Sequence, residues 1–95
     1  MPAATYRMNG KVVLRRIGAD RLLVPVSGPA ARESCVFPVN ATGEFIWNGL
    51  TNGQTLDETA AALAAEFAVA PDEARADCRE FADKLLAQRL LEGPE

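Results

Sequence analysis

Apolar positions change period along this chain, from two in its first part to between three and four in its second. Lys11–Ile17 (KVVLRRI) and Arg21–Val26 (RLLVPV) are rich in β-branched and aliphatic residues and predict two strands joined by a short Gly18-Ala19-Asp20 link, with glycine supplying an unusual φ. Alternation puts Leu22, Val24 and Val26 on one face of the second strand and Leu23 and Pro25 on the other, while Val12 and Leu14 cover the core face from the first strand. The polar, Gly- and Pro-punctuated Ser27–Glu33 predicts a loop, and Ser34–Val39 (SCVFPV) a third strand with Cys35, Phe37 and Val39 on one side. Period alone does not say which side is covered, so Phe37 reads equally as core and as an exposed floor.

The helical period begins after Asn40, a good N-cap for a helix over Ala41–Leu50 whose apolar side is Phe45, Ile46, Trp47 and Leu50. Asn52-Gly53 ends it. Thr55-Leu56-Asp57-Glu58 has the form of a capping box, and Leu56, Ala60, Leu63 and Phe67 follow as one helical stripe. Pro71 suits the first position of a third helix, with Asp72 and Glu73 favourable at its N-terminal dipole. Ala74, Cys78, Phe81 and Leu85 form that helix's stripe, and Leu90-Leu91 closes the domain. The expected architecture is α+β: a three-stranded antiparallel sheet followed by three helices on one side of it, in a single domain over 1–95, with strands in 11–39 and helices in 41–91. Such a sheet has two edges, and an open one accepts a further strand from a peptide or permits homodimerisation by strand exchange.

Composition narrows the chemistry. At 95 residues and 48 % hydrophobic, the chain builds one core with little room for a deep cavity. It has no His, which removes the commonest general base and metal ligand, so Ser27 and Ser34 have no partner as nucleophiles. Two cysteines, Cys35 and Cys78, fall short of a zinc site and lack C-x-x-C spacing; they read as small core thiols of a reducing, cytoplasmic setting. Neither a signal peptide nor a membrane span is expected. Residues 1–40 carry six basic and two acidic side chains, and residues 41–95 carry four basic and eleven acidic. The third helix holds Asp72, Glu73, Asp77, Glu80 and Asp83, which argues against the alternative of a winged-helix nucleic-acid binder. Arg15, Arg16, Arg21 and Arg32 read as a solvated face or as a surface for an acidic partner.

The stretch Asn40-Ala41-Thr42-Gly43-Glu44-Phe45-Ile46-Trp47-Asn48-Gly49-Leu50 resembles the N-x-T-(G/A)-x-x-I-W segment of the PqqD family, the pyrroloquinoline quinone biosynthesis protein D family. Gly53-Gln54-Thr55, Leu56 through Phe67, Asp77-Cys78-Arg79-Glu80-Phe81 and Leu90-Leu91 follow in register, tightly over 40–91 and loosely over 11–39. Arg89 departs from the pattern, standing where the family usually has Gly.

The resemblance implies a winged-helix-like RiPP recognition element, a module that is not itself a catalyst and needs no cofactor or metal. Members bind the leader of a ribosomally made precursor peptide as a strand added to the third strand, and present it to a modifying enzyme, commonly a radical-SAM enzyme. Carried over position by position, the edge is Ser34, Cys35, Val36, Phe37 and Pro38, and the helix wall is Ala74, Arg75, Cys78, Phe81, Ala82 and Leu85. The plainer reading of Cys35, Cys78 and Trp47 is core packing. Asp77 reads either as a partner for a leader amide or as half of an ion pair with Arg75 or Arg79.

Overall fold

The computed structural model describes residues 5–33 and 36–93. Its elements run β1 (Arg7–Met8), β2 (Val12–Ile17), β3 (Asp20–Pro25), a 3-10 turn (Pro29–Glu33), β4 (Phe37–Val39), α1 (Ala41–Thr51), α2 (Leu56–Phe67), α3 (Pro71–Ala87) and β5 (Leu91–Glu92). The expected antiparallel sheet is present in the order β2-β3-β4, followed by three helices. β4 begins at Phe37, with Val36 outside it, and the expected strand residues Ser34 and Cys35 lie outside the described residues. The tail closes the fold as a strand, β5 pairing with β1 so that Met8 stands opposite Leu91.

β2 and β3 turn over two residues, Gly18 and Ala19, with Ile17 opposite Asp20. Gly18 has φ +61 at the first central position, as a mirror-type hairpin turn requires. The register pairs Leu14 with Leu23 and Val12 with Pro25, and continues as Leu23 opposite Phe37 and Arg21 opposite Val39. Leu23 is fully buried and Val12 nearly so, which settles the covered face as Leu23 and Pro25. Leu22, Val24 and Val26 point away from the core. Alternation in a strand gives two candidate faces, and only the helices lying against the sheet choose between them.

Beneath that face lie Ile46, Trp47 and Leu50 of α1, Ala60 and Leu63 of α2, and Ala74, Cys78, Ala82 and Leu85 of α3, all buried. Trp47 is core. Asn40 caps α1 through its Oδ1, which accepts from the Gly43 N–H at 2.7 Å. The α2 capping box is complete, with Thr55 Oγ1 accepting from the Glu58 N–H and Glu58 Oε1 from the Thr55 N–H.

α3 ends in a Schellman motif: the Leu90 N–H donates to the Leu85 carbonyl at 2.9 Å and the Arg89 N–H to the Leu86 carbonyl at 3.0 Å. Arg89 holds φ +61, a conformation that glycine adopts without penalty. Arg89→Gly is therefore expected to stabilise the protein by about 0.5–1 kcal/mol, the relief of a left-handed side chain less glycine's larger unfolded entropy. Urea titration reads it, and an unchanged or lowered midpoint would contradict the argument.

Candidate functional site

β4 borders β3 on one side, and among the described residues no strand pairs with its other side. Pro38 decides how that edge is presented. It has no N–H, so it cannot exchange a pair of hydrogen bonds with Leu22 opposite it. Phe37 and Val39 must therefore be the residues that bond inward, to Leu23 and Arg21, and Pro38 turns its carbonyl outward. Val36, two positions back, shares Pro38's parity and supplies the outward N–H that Pro38 lacks. Val36 is 53 % exposed.

Phe37 and Phe81 meet edge to face, ring centroids 5.9 Å apart, and join β4 to α3. Both are half-buried and pack on the core. Gly43 of α1 makes the junction close: a Cβ there would lie 3.1 Å from the Phe81 ring and 3.2 Å from Val39 Cβ. β4, α1 and α3 thus converge on one glycine. Beside the aromatic pair is a shallow notch lined by Ala30, Val36, Phe37, Gln88 and Leu90. A wider cleft between α1 and α2, lined by Phe45, Asn48, Gly49, Asn52, Gln54 and Ala62, shares no residue with this edge.

The expected helix wall divides. Phe81 stands at the edge. Ala74, Cys78, Ala82 and Leu85 are fully buried, with no side-chain surface turned to a groove. Small and aliphatic residues on one helical stripe serve a core as readily as a cleft, and here α2 and the other core elements cover them. Arg75 lies on the opposite flank, toward α2, with Nε 3.4 Å from Asp57 Oδ1. Phe81 packs on Phe37 of β4 and Gln88 lines the notch with Val36 and Phe37; Asp77 and Lys84 fall on the same helical row by spacing, +4, +3 and +4 from Asp77 through Gln88. Asp77, Lys84 and Gln88 are exposed and polar; the sequence singles out Asp77, while Lys84 and Gln88 follow only from the helical period drawn through Phe81. Burial pushes the Cys78 thiol up to about 11, with Asp77 adding to the effect, so it is a poor nucleophile. No group of three or more His, Cys, Asp or Glu among the described residues is placed to hold a metal ion. No described helix is long and apolar enough to cross a membrane.

Electrostatics fix the sheet against α1. Arg16 and Arg21 are cross-strand partners whose like charges converge on Glu44. Arg16 Nη2 donates to Glu44 Oε2, and Arg21 Nε donates to Oε1 at 2.6 Å. The Arg16 hydrogen bond, supported by Arg21, holds the Glu44 carboxyl below its ordinary value of 4.5 against the opposing effect of burial. A depressed carboxyl contributes stability that is fully present above the unfolded-state value and lost as pH falls through the folded one. Glu44→Gln is expected to cost about 1–2 kcal/mol at neutral pH, discounted because Arg16 is largely solvated. The gap in melting temperature between the two proteins should close as pH drops from 4.5. A gap constant across that range would mean that the charge contributes nothing.

The sequence matches the family described as Coenzyme PQQ synthesis protein D (PqqD) over residues 29–91. The chain belongs to the PqqD family. In this PqqD-family chain the match takes in the 3-10 turn, β4, the three helices and the start of β5, and leaves out the β2–β3 hairpin. Two solved structures resemble the whole fold. One, described as TbiB1 in complex with the TbiA(beta) leader peptide, is 27 % identical, with a TM-score of 0.76 over 94 % of this chain and 98 % of that one. The other, a lasso peptide synthetase B1 complexed with the leader peptide, is 17 % identical, with a TM-score of 0.77 over 92 % and 96 %. No curated protein sequence matches the chain significantly.

Proposed function

We propose that residues 1–95 form one recognition domain that binds the leader of a ribosomally made precursor peptide as an added strand on β4. The observation that carries the reading is a strand edge unpaired among the described residues, beside an aromatic junction, Phe37 on Phe81, in a PqqD-family chain. The likeness to TbiB1, described with a leader peptide bound, supports it. Main-chain bonds to the Val36 N–H and to the Val36 and Pro38 carbonyls attach the peptide without regard to its sequence. Selection comes from its inward side chains, which meet Phe37, Phe81 and Gln88 and the notch bounded by Ala30 and Leu90. Two aliphatic anchors supply about 3–6 kcal/mol gross, and ordering a free peptide consumes several kcal/mol of that. The affinity is therefore moderate, and the domain works as a carrier, not a catalyst.

The enzyme it serves is one that modifies the same precursor, a radical-SAM enzyme in the family's pattern, in the cytoplasm where the precursor is made. A homodimer through β4 would use the same backbone groups as the leader and would compete with it. Titrating isotope-labelled protein with the leader encoded beside it tests the reading. Shifts should gather at Val36–Val39 and along Asp77, Phe81, Lys84 and Gln88. Shifts confined to α2 would reject the site.

A further inference from the structure

Gly43 sits in the first turn of α1, buried and at negative φ. Helical backbone favours alanine over glycine, so local conformation does not call for glycine at this position. Packing does. A Cβ there would lie 3.1 Å from both Cε1 and Cζ of the Phe81 ring, inside the about 3.5–4.0 Å of an ordinary carbon–carbon contact. The space of the missing methyl is what lets the ring tip come so close to α1.

The start of α1 cannot yield that space. Asn40 Oδ1 accepts from the Gly43 N–H at 2.7 Å, and Glu44, the next residue, is held by Arg16 and Arg21 of the sheet. The helix is thus pinned at Gly43 itself and immediately after it. On α3, the neighbours of Phe81 on the core side, Cys78, Ala82 and Leu85, are fully buried among close-packed side chains. Phe37 holds the ring from β4. Phe81 is half-buried, so the direction left to its ring is outward, into the space beside the β4 edge.

We infer that Gly43 sets the size of the leader side chain accepted between β4 and α3, by letting the Phe81 ring sit back from the edge. It is a positioning residue, which acts through the ring and not by touching the peptide. The inference rests on the leader-binding reading. With glycine, the seat beside Phe81 takes an aliphatic anchor of leucine size. With alanine, the ring advances and the seat takes only a small one.

Gly43→Ala is compared with the wild type in two measurements, after circular dichroism has checked the fold. In the free protein, the NMR signals of the Phe81 and Phe37 rings should shift, while those of Phe45 and Phe67, which pack on each other elsewhere, stay in place. An unmoved Phe81 ring overturns the inference without reference to any peptide. In the second measurement, the leader encoded beside this chain is titrated calorimetrically, in its natural form and with each apolar residue in turn replaced by Ala. The anchor is the position whose replacement weakens wild-type binding most. Gly43→Ala should weaken the natural leader about tenfold, the scale of one misplaced methylene in an apolar pocket, and leave the anchor-truncated leader within about twofold. The double variant Gly43→Ala, Phe81→Leu, which returns the space, should recover most of the natural leader's affinity. Equal weakening of both leaders would trace the effect to Val39, whose Cβ lies 3.2 Å from the added methyl and whose displacement disturbs the edge for every peptide alike. That result overturns the size filter and leaves the leader reading standing. A wild-type protein that binds no leader sinks both. Phe81→Leu alone carries the test if Gly43→Ala does not fold. It should bind the leader with its anchor enlarged to Trp at least about fivefold more tightly than the wild type does, and no gain overturns the inference.

Discussion

Replacing Val36 by Pro is expected to lower leader affinity by about 10- to 100-fold, the loss of a desolvated main-chain hydrogen bond worth about 1–3 kcal/mol. Stability should change by less than about 1 kcal/mol, because Val36 is half in solvent and β4 pairs with β3 only from Phe37 onward. The asymmetry follows from Pro38. That residue already withholds one donor from the edge, so Val36 supplies the outward N–H beside β4, and a second proline leaves residues 36–38 with outward acceptors alone. Calorimetric titration with leader peptide, alongside urea unfolding, reads the two quantities on the same variant. Equal losses in both would mean that the Val36 N–H is bonded within the sheet and that the peptide goes elsewhere.

The largest effect on stability is expected at Gly10. Gly10→Ala should destabilise the protein by about 2–4 kcal/mol. Gly10 has φ +79, and a Cβ there would lie 2.4 Å from the Ser27 carbonyl oxygen and 2.7 Å from Gly28 Cα, both backbone atoms that cannot swing aside. Gly28, at φ +91, returns the constraint: its Cβ would lie 2.9 Å from both the Asn9 carbonyl oxygen and Gly10 Cα. The two glycines hold the approach to β2 against the exit from β3. Around them the Lys11 N–H donates to Ser27 Oγ at 3.0 Å, and the Val26 N–H donates to the Lys11 carbonyl at 2.8 Å. Gly18→Ala is the control. It carries the same kind of φ, +61, but its Cβ would meet nothing within 4 Å, so it should cost only about 1 kcal/mol. Equal losses at the two positions would show that the Gly10–Gly28 contact relaxes and that only the backbone conformation matters.

The two glycines also mark where sequence reading stops. Gly18 is legible, because a glycine between two β-rich runs signals a hairpin. Gly10 and Gly28 are not, because each is unremarkable locally and their contact joins chain segments 18 residues apart. The candidate site divides in the same way. Phe37 and Phe81 were both nameable from their stripes, and the structure brings them together. Ala74, Cys78, Ala82 and Leu85 were nameable as one helical face, but a stripe does not state whether a helix or a peptide covers it; their complete burial does. Lys84 and Gln88 escaped because polar residues on a helix give no signal until a neighbouring strand lies alongside them; Asp77 was singled out, with an ion pair as its other reading.

Sequence alone determined the α+β order, the helix caps and the family, since all three rest on local residue type and spacing. Tertiary packing decided which face of the sheet is covered, which flank of α3 looks toward β4, and that Arg16 and Arg21 converge on Glu44. The physical reason is that a strand or helix pattern specifies faces only relative to its own axis. The rotation of each element about that axis is set by what packs against it, and that free energy is shared among residues far apart in the chain.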